Sequence, residues 1–117
     1  MADGIERIES GPRMSQAVAH GGLVFLAGQI ADDASASIAE QTRQVLAKVD
    51  RHLAAAGTDK ARILSANIWL VDMADFQAMN AVWDGWVAPG EAPARATVQS
   101  GLALPGLKVE IAVIAAR

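Results

Sequence analysis

The sequence predicts an α+β fold in which two helices cover one face of a mixed β-sheet. Apolar runs typical of strands stand in pairs near both ends of the chain, and two stretches with helical spacing lie between them. The element order is therefore β-β-α-β-α-β-β, with a short additional strand at "IERIE" near the N-terminus. A length of 117 residues fits one domain spanning residues 1–117.

The first half of the chain contains a hairpin and a helix. "SQAVAH" and "LVFLAGQ" flank Gly21 and Gly22, a pair typical of a two-residue hairpin turn. Ser37 followed by Glu40 is the capping-box pattern that begins a helix, and Gly57 is a natural stop. The helix between them carries one apolar stripe, formed by Ile38, Val45, Leu46, Val49, Leu53 and Ala56.

The second half begins with a strand, "ILSANIWLVD", that is apolar on both alternating faces and is therefore expected to be buried on both. Asp72 is expected to cap a second helix, with Asp75 in its first turn. "APGEAPA" ends that helix, and the strands "RATVQ" and "LKVEIAVIA" complete the chain. The stripe of the second helix is Phe76, Met79, Val82, Trp83 and Trp86.

The apolar content predicts self-association. Hydrophobic residues make up 52% of the chain, more than one small domain needs to hide. The helices cover one face of the sheet, while Trp69, Val71 and Ile114 fall on the other. Another copy of the chain is the expected cover for that second face.

Arg95 and Glu110 are charged residues in two strands whose other residues have the composition of a protein core. Such a charge destabilises the fold unless it forms an ion pair or serves in a functional site. Strand alternation places Arg95, Thr97 and Glu110 on the face that a neighbouring copy covers. At this point a small-molecule site and a structural Arg–Glu salt bridge across neighbouring strands both remain open. Asn80 is a third candidate, although an amide bonded to the helix backbone explains it better by itself.

The composition excludes several classes of function. The chain has no cysteine, and His20 at the glycine turn and His52 on the polar side of the first helix are not placed to hold a metal. A net charge of −3 with scattered basic residues argues against a nucleic-acid surface. No apolar run reaches the roughly 20 residues that span a bilayer, and the N-terminus does not resemble a signal peptide. A cytoplasmic protein is expected.

Four stretches together resemble the reactive intermediate deaminase family, RidA or YjgF: "RMSQAVAHGGLVFLAGQ", "AEQTRQVLAKVDRHLAAAG", "FQAMNAVWDGWV" and "APARATVQSGLALPGLKVEIAVIAA". The match extends from about residue 5 to the C-terminus, and "RMSQ" with "MNAVWD" is most similar to the YoaB-like branch. The resemblance implies a chorismate-mutase-like fold and a homotrimer with three clefts between subunits. It also implies hydrolysis of imines and enamines to 2-oxo acids and ammonia, without a cofactor.

The resemblance assigns site residues one position at a time. Three positions carry the residues that the family uses, namely Arg95, Glu110 and Asn80. Three others depart from the archetypal members: a tyrosine is replaced by Met14, a serine by Ala27 and a cysteine by Thr97. The charged pair is therefore kept, while the lining of the cleft is changed.

The resemblance implies that Arg95 holds the carboxylate of an imino acid while Glu110 orients the attacking water. Backbone N–H groups near Gly28 are expected to steady the ligand. Met14 and Ala27 predict a preference for imino acids with bulkier or more apolar side chains.

The main alternative to a deaminase is a protein that binds a small carboxylate as a sensor without catalysis. RNA cleavage, also proposed within the family, is disfavoured by the acidic balance, and a role in a dedicated catabolic pathway stays open.

Overall fold

The computed structural model describes residues 4–117, in which seven strands form one sheet and two α-helices pack against it. The strands are β1 (Glu6–Ser10), β2 (Ser15–His20), β3 (Leu23–Leu26), β4 (Gln29–Ile30), β5 (Ile63–Leu70), β6 (Ala94–Gln99) and β7 (Val109–Ala116). The helices are α1 (Ile38–Ala55) and α2 (Phe76–Trp86).

The sheet has the order β1-β2-β3-β7-β5-β6, with β4 also paired to β7. Strands β5 and β6 run parallel and the other pairs are antiparallel, so the sheet is mixed. The parallel pair is connected through α2, because parallel neighbours need a crossover connection. The predicted element order, including the short first strand, is confirmed except that β4 was not predicted: the expected strand "LVFLAGQ" is divided into β3 and β4.

The helices cover one face of the sheet and form the core with it. Each strand sends alternate side chains into this layer, including Ala66 and Ile68 from β5 and Val109 and Ile111 from β7. The predicted stripe of α1 meets them, and its buried members are Val45, Leu46, Val49, Leu53 and Ala56. One continuous hydrophobic core results.

The predicted hairpin turn and helix ends are also confirmed. Gly21 and Gly22 have φ values of 59° and 82°, which a type I′ hairpin turn requires at both central positions. Ser37 Oγ accepts a hydrogen bond of 3.1 Å from the backbone N–H of Glu40, which satisfies one of the free donors at the start of α1. Gly57 follows the end of α1 with a left-handed φ of 82°.

Two local expectations are wrong. Asp72 caps a single 3₁₀ turn, Met73–Asp75, rather than α2 itself, which begins at Phe76. His52 does not lie on a solvated side of α1: it is only 2% exposed, and its Nδ1 lies 3.0 Å from Oε2 of Glu9. His52 follows Val49 by three residues and Val45 by seven, so helical spacing itself places it beside the buried stripe of α1, and the expectation of a polar side was a misassignment.

The second face of the sheet, here called the open face, carries Val18, Phe25, Trp69, Glu110 and Ile114. Phe25 is 41% exposed, and Val98, beside Trp69 on β6, is 51% exposed. Within one chain the residues of β5 on the open face are exposed or partly exposed. Burial of β5 on both faces, through cover by a second copy of the chain, stays a prediction. No helix within residues 4–117 is long and apolar enough to cross a membrane.

Candidate functional site

Arg95 lies on the helix side of the sheet, at its edge. β6 is the last strand of the sheet order, and its register places Arg95 beside the buried Ala66 of β5. Arg95 therefore points towards α2. Its Cζ lies 5.2 Å from the ring centroid of Trp83 and 6.0 Å from that of Phe76. Both distances are within the range of cation–π attraction.

Arg95 has no acidic partner in the described part of the chain. The ion pairs found within residues 4–117 leave Arg95 out, so no carboxylate oxygen lies within 4.0 Å of its guanidinium. The aromatic rings near Arg95 do not replace the hydrogen-bond acceptors that its N–H groups need. A partly buried cation in this state is suited to binding an anion that the chain does not supply.

Two unpaired oxygens accompany Arg95. Thr97 shares its strand face, and Asn80 lies on α2 between Phe76 and Trp83 in sequence. Asn80 Oδ1 and Thr97 Oγ1 are buried and make no hydrogen bond within residues 4–117. A buried polar atom without a partner costs about 1–3 kcal/mol, so such atoms are rare and often mark functional sites. The backbone-bonded amide expected for Asn80 is not present at Oδ1. The Arg95 cluster is defined here as Phe76, Asn80, Trp83, Arg95 and Thr97.

Glu110 lies on the open face, in the middle of the sheet. Its neighbours across the strands are Ile30 of β4 and Trp69 of β5. The side chain folds over Gly28, so closely that a Cβ on Gly28 would lie 2.8 Å from Cδ of Glu110 and nearer still to Oε2. Only glycine leaves room for the carboxylate in this position.

Two amides that the sequence analysis did not single out fix the backbone beside Gly28. Gln29 is 4% exposed, and its Nε2 donates to Oε1 of Gln16 at 2.9 Å and to the carbonyl of Ala27 at 3.0 Å. The backbone N–H of Ala27 donates to the carbonyl of Gln16, so it is already used and is not free to hold a ligand. A buried amide in a two-residue strand leaves no periodic signal in the sequence, which is why these residues were missed.

The expectation that Arg95, Thr97 and Glu110 share a face is wrong for Glu110. Arg95 and Thr97 point towards α2, whereas Glu110 points to the open face, and strand β5 separates the two strands. The structural Arg95–Glu110 salt bridge is also wrong, because the strands are not neighbours. The prediction assumed that the apolar alternate residues of "RATVQ" face the helices, but at the sheet edge the polar set does so.

The remaining predicted positions divide between the two regions. Met14 precedes β2 and is 49% exposed, and its carbonyl accepts a hydrogen bond from Gly11. Ala27 is partly buried between Gln16 and Gly28, on the side of Glu110. Within one chain the predicted site residues therefore fall in two separate regions, the Arg95 cluster and the Glu110–Gly28 contact.

Comparison with known proteins gives a consistent result. Residues 4–117 match the family described as endoribonuclease L-PSP. The RutC family protein YoaB of Escherichia coli K12 is 44% identical over 112 residues, which are 96% of this chain and 97% of YoaB. A crystal structure of a YjgF family member from Neisseria meningitidis is 46% identical with a TM-score of 0.95, covering 100% of this chain and 98% of that one.

A more distant relative carries a functional name. Reactive Intermediate Deaminase A of the Arabidopsis thaliana chloroplast is 35% identical over 107 residues, which are 86% of this chain and 57% of that protein. The fold agrees with the fold that the family resemblance implies, and the similarity to YoaB and to the Neisseria structure extends over nearly the whole length of each chain. On this evidence the chain belongs to the RidA/YjgF family, in its YoaB-like branch.

Proposed function

We propose that this protein is a deaminase that hydrolyses reactive 2-imino and 2-enamino acids to 2-oxo acids and ammonia. The observation that carries the proposal is the Arg95 guanidinium, which lies against two aromatic rings with no carboxylate within 4.0 Å in residues 4–117. The guanidinium presents paired N–H donors in one plane, and without a carboxylate partner these donors match the carboxylate that every 2-imino acid carries. The name of the Arabidopsis relative supports the same reaction class.

The proposed active site forms between copies of the chain in a homotrimer. Arg95 and Glu110 lie on opposite faces of one sheet, so a single copy does not present both groups to one small ligand. The open face exposes apolar side chains such as Phe25 and Val98, which favours association. Contact between the open face of one copy and the β6 edge of the next would bring an unpaired carboxylate towards an unpaired guanidinium.

The reaction needs little more than positioning, because imines hydrolyse readily in water. In the proposed reaction, Arg95 holds the substrate carboxylate with two N–H donors and thereby fixes the imine carbon. A water molecule, oriented by Glu110 of the neighbouring copy, forms a C–O bond to that carbon and gives up a proton to the carboxylate. The proton is returned to nitrogen, which gives a carbinolamine. The remaining hydroxyl proton is then transferred to nitrogen, the C=O double bond forms as the C–N bond breaks, and the products are a 2-oxo acid and ammonia. An enamine enters the same sequence after tautomerising to its imine.

Replacement of Arg95 tests the proposal. We expect Arg95→Ala to abolish hydrolysis of 2-iminobutyrate, generated in the cuvette by an amino-acid oxidase, while light scattering shows an unchanged oligomer. Arg62→Ala is the matched control, since Arg62 is exposed and lies outside the Arg95 cluster. Full activity in Arg95→Ala would refute the proposed role. Binding of 2-oxobutyrate by the native protein, with no ammonia release from any imine tested, would favour a carboxylate sensor instead.

The substrate class follows from the lining residues. Met14 and Ala27 replace polar groups of the archetypal members with apolar side chains, so we propose a preference for imino acids derived from leucine or methionine. A substrate panel in which 2-aminoacrylate is hydrolysed fastest would contradict this preference.

The description of the matched family names an endoribonuclease. Cleavage of RNA is not proposed here, because the chain has a net charge of −3 and scattered basic residues.

A further inference from the structure

We infer that Trp83, together with Phe76, is a positioning residue that holds the Arg95 guanidinium with its N–H edge free for a carboxylate. This inference rests on the proposed function, since it concerns how the same arginine meets its ligand. The two ring centroids lie 5.2 Å and 6.0 Å from Cζ of Arg95, and both rings come from α2. Nothing else with a charge holds the guanidinium in the described chain.

The chemistry of the guanidinium explains why rings are suited to this task. An aromatic ring attracts the cation without supplying an oxygen acceptor, so contact with a ring leaves the five N–H donors available for a carboxylate. A structural carboxylate would also fix the side chain, but it would occupy the edge that a substrate carboxylate needs. Aromatic contact therefore orients Arg95 and leaves its donors available.

Trp83 is itself held in place by a series of contacts that reaches α1. It is 5% exposed, and its ring centroid lies 5.2 Å from that of Trp86. The indole Nε1 of Trp86 donates to Oδ2 of Asp50 on α1 at 3.0 Å, and Lys60 Nζ lies 5.3 Å from the Trp86 ring centroid. A continuous series of contacts thus extends from α1 through two indoles to Arg95, which makes Trp83 a fixed support.

The expected effect is on binding rather than on the chemical step. Cation–π attraction at partly exposed sites corresponds to roughly a two- to fivefold change in an equilibrium constant. Trp83→Leu should therefore raise the Kd for 2-oxobutyrate, and the KM for imino acids, by roughly that factor, with kcat nearly unchanged. Trp83→Phe keeps a ring and should stay close to the native values.

The experiment is a calorimetric titration of the assembled protein with 2-oxobutyrate. It is carried out on the native chain and on the Trp83→Leu, Trp83→Phe and Phe76→Leu variants. Met79→Ala is the matched control, because Met79 is a fully buried residue of α2 whose loss loosens the helix but leaves both rings at Arg95. A second readout is the ¹⁵N-edited Nε–Hε signal of Arg95, assigned with Arg95→Lys. Ring currents should shift it upfield in the native protein and less in Trp83→Leu.

A raised Kd and a lost ring-current shift in Trp83→Leu, with both unchanged in Met79→Ala, would support the inference. If Trp83→Leu does not fold, Phe76→Leu gives the same comparison from the other ring. Native Kd values in the folded ring variants, or an equal rise in Met79→Ala, would overturn it. Failure of the proposed function looks different: either the native protein would release no ammonia from any imine, or Arg95→Ala itself would keep both 2-oxobutyrate binding and turnover.

Discussion

A methyl group added at Gly28 is expected to displace the Glu110 carboxylate without unfolding the protein. In Gly28→Ala the new Cβ would lie 2.8 Å from Cδ of Glu110, whereas ordinary contacts begin at 3.4 Å. The carboxyl group must therefore retreat by roughly 1 Å, a displacement that commonly lowers catalysis about a hundredfold. Gly28 does not have a left-handed φ, so alanine causes no backbone strain there.

The assay compares kcat/KM for 2-iminobutyrate hydrolysis with the midpoint of thermal unfolding. We expect kcat/KM to fall by roughly ten- to a hundredfold, because the proposed water-orienting group is displaced, while the Tm changes little. The flexible end of Glu110 can move aside at small cost in stability, which separates this variant from one that damages the core.

Gly85→Ala is the matched control for this change. A Cβ at Gly85 meets nothing within 4 Å, and the residue lies inside α2. Its replacement should leave activity unchanged and stabilise the protein by up to about 1 kcal/mol. Native activity in folded Gly28→Ala would refute the reasoning that the position of Glu110 matters for catalysis.

Three further outcomes concern stability and are measured by urea or pH titration. Thr97→Val replaces a buried hydroxyl that has no hydrogen-bond partner within residues 4–117, so stability should stay equal or rise by about 1 kcal/mol, and a marked loss would mean that the hydroxyl is bonded. Gln41→Leu leaves the N–H of Lys108 and nearby carbonyls unpaired, and should cost about 1–3 kcal/mol. The hydrogen bond and charge of Lys48 lower the pKa of Asp32 below 3.8. The resulting stabilisation is present above the pKa that Asp32 has in the unfolded chain and is lost as the pH falls through the pKa of Asp32 in the folded protein. Asp32→Asn should therefore flatten the dependence of the unfolding free energy on pH, and only below about pH 4.

The order of the elements and the composition of the core were predictable because they depend on local patterns. The stripe of α1, the cap at Ser37 and the Gly21–Gly22 turn each follow from spacing within a few residues. His52 was misplaced although its spacing of seven residues from Val45 and three from Val49 puts it beside the buried stripe of α1. The contact of its ring with Glu9 of β1 comes from a distant part of the chain and could not be predicted from helical spacing.

The site was predictable in its residue types and not in its geometry. Arg95 and Glu110 could be singled out as charges in apolar strands, but their faces depend on pairing register. Both β6 and β7 pair with β5, but Arg95 lies beside Ala66 and Glu110 beside Trp69, which face opposite sides of the sheet. The Gln16–Gln29 contact and the packing of Glu110 on Gly28 depend on tertiary structure alone.

The separation of Arg95 and Glu110 on opposite faces leads to the most direct test of a site shared between copies. Arg95→Ala and Glu110→Ala are each expected to be inactive as pure oligomers. When the two variants are unfolded together and refolded in equal amounts, random assembly in a closed ring leaves about a quarter of the interfaces with both native residues. Hydrolysis of 2-iminobutyrate at about a quarter of the native rate is the predicted result. A refolded mixture of native oligomeric size with no activity would contradict a site built from two copies.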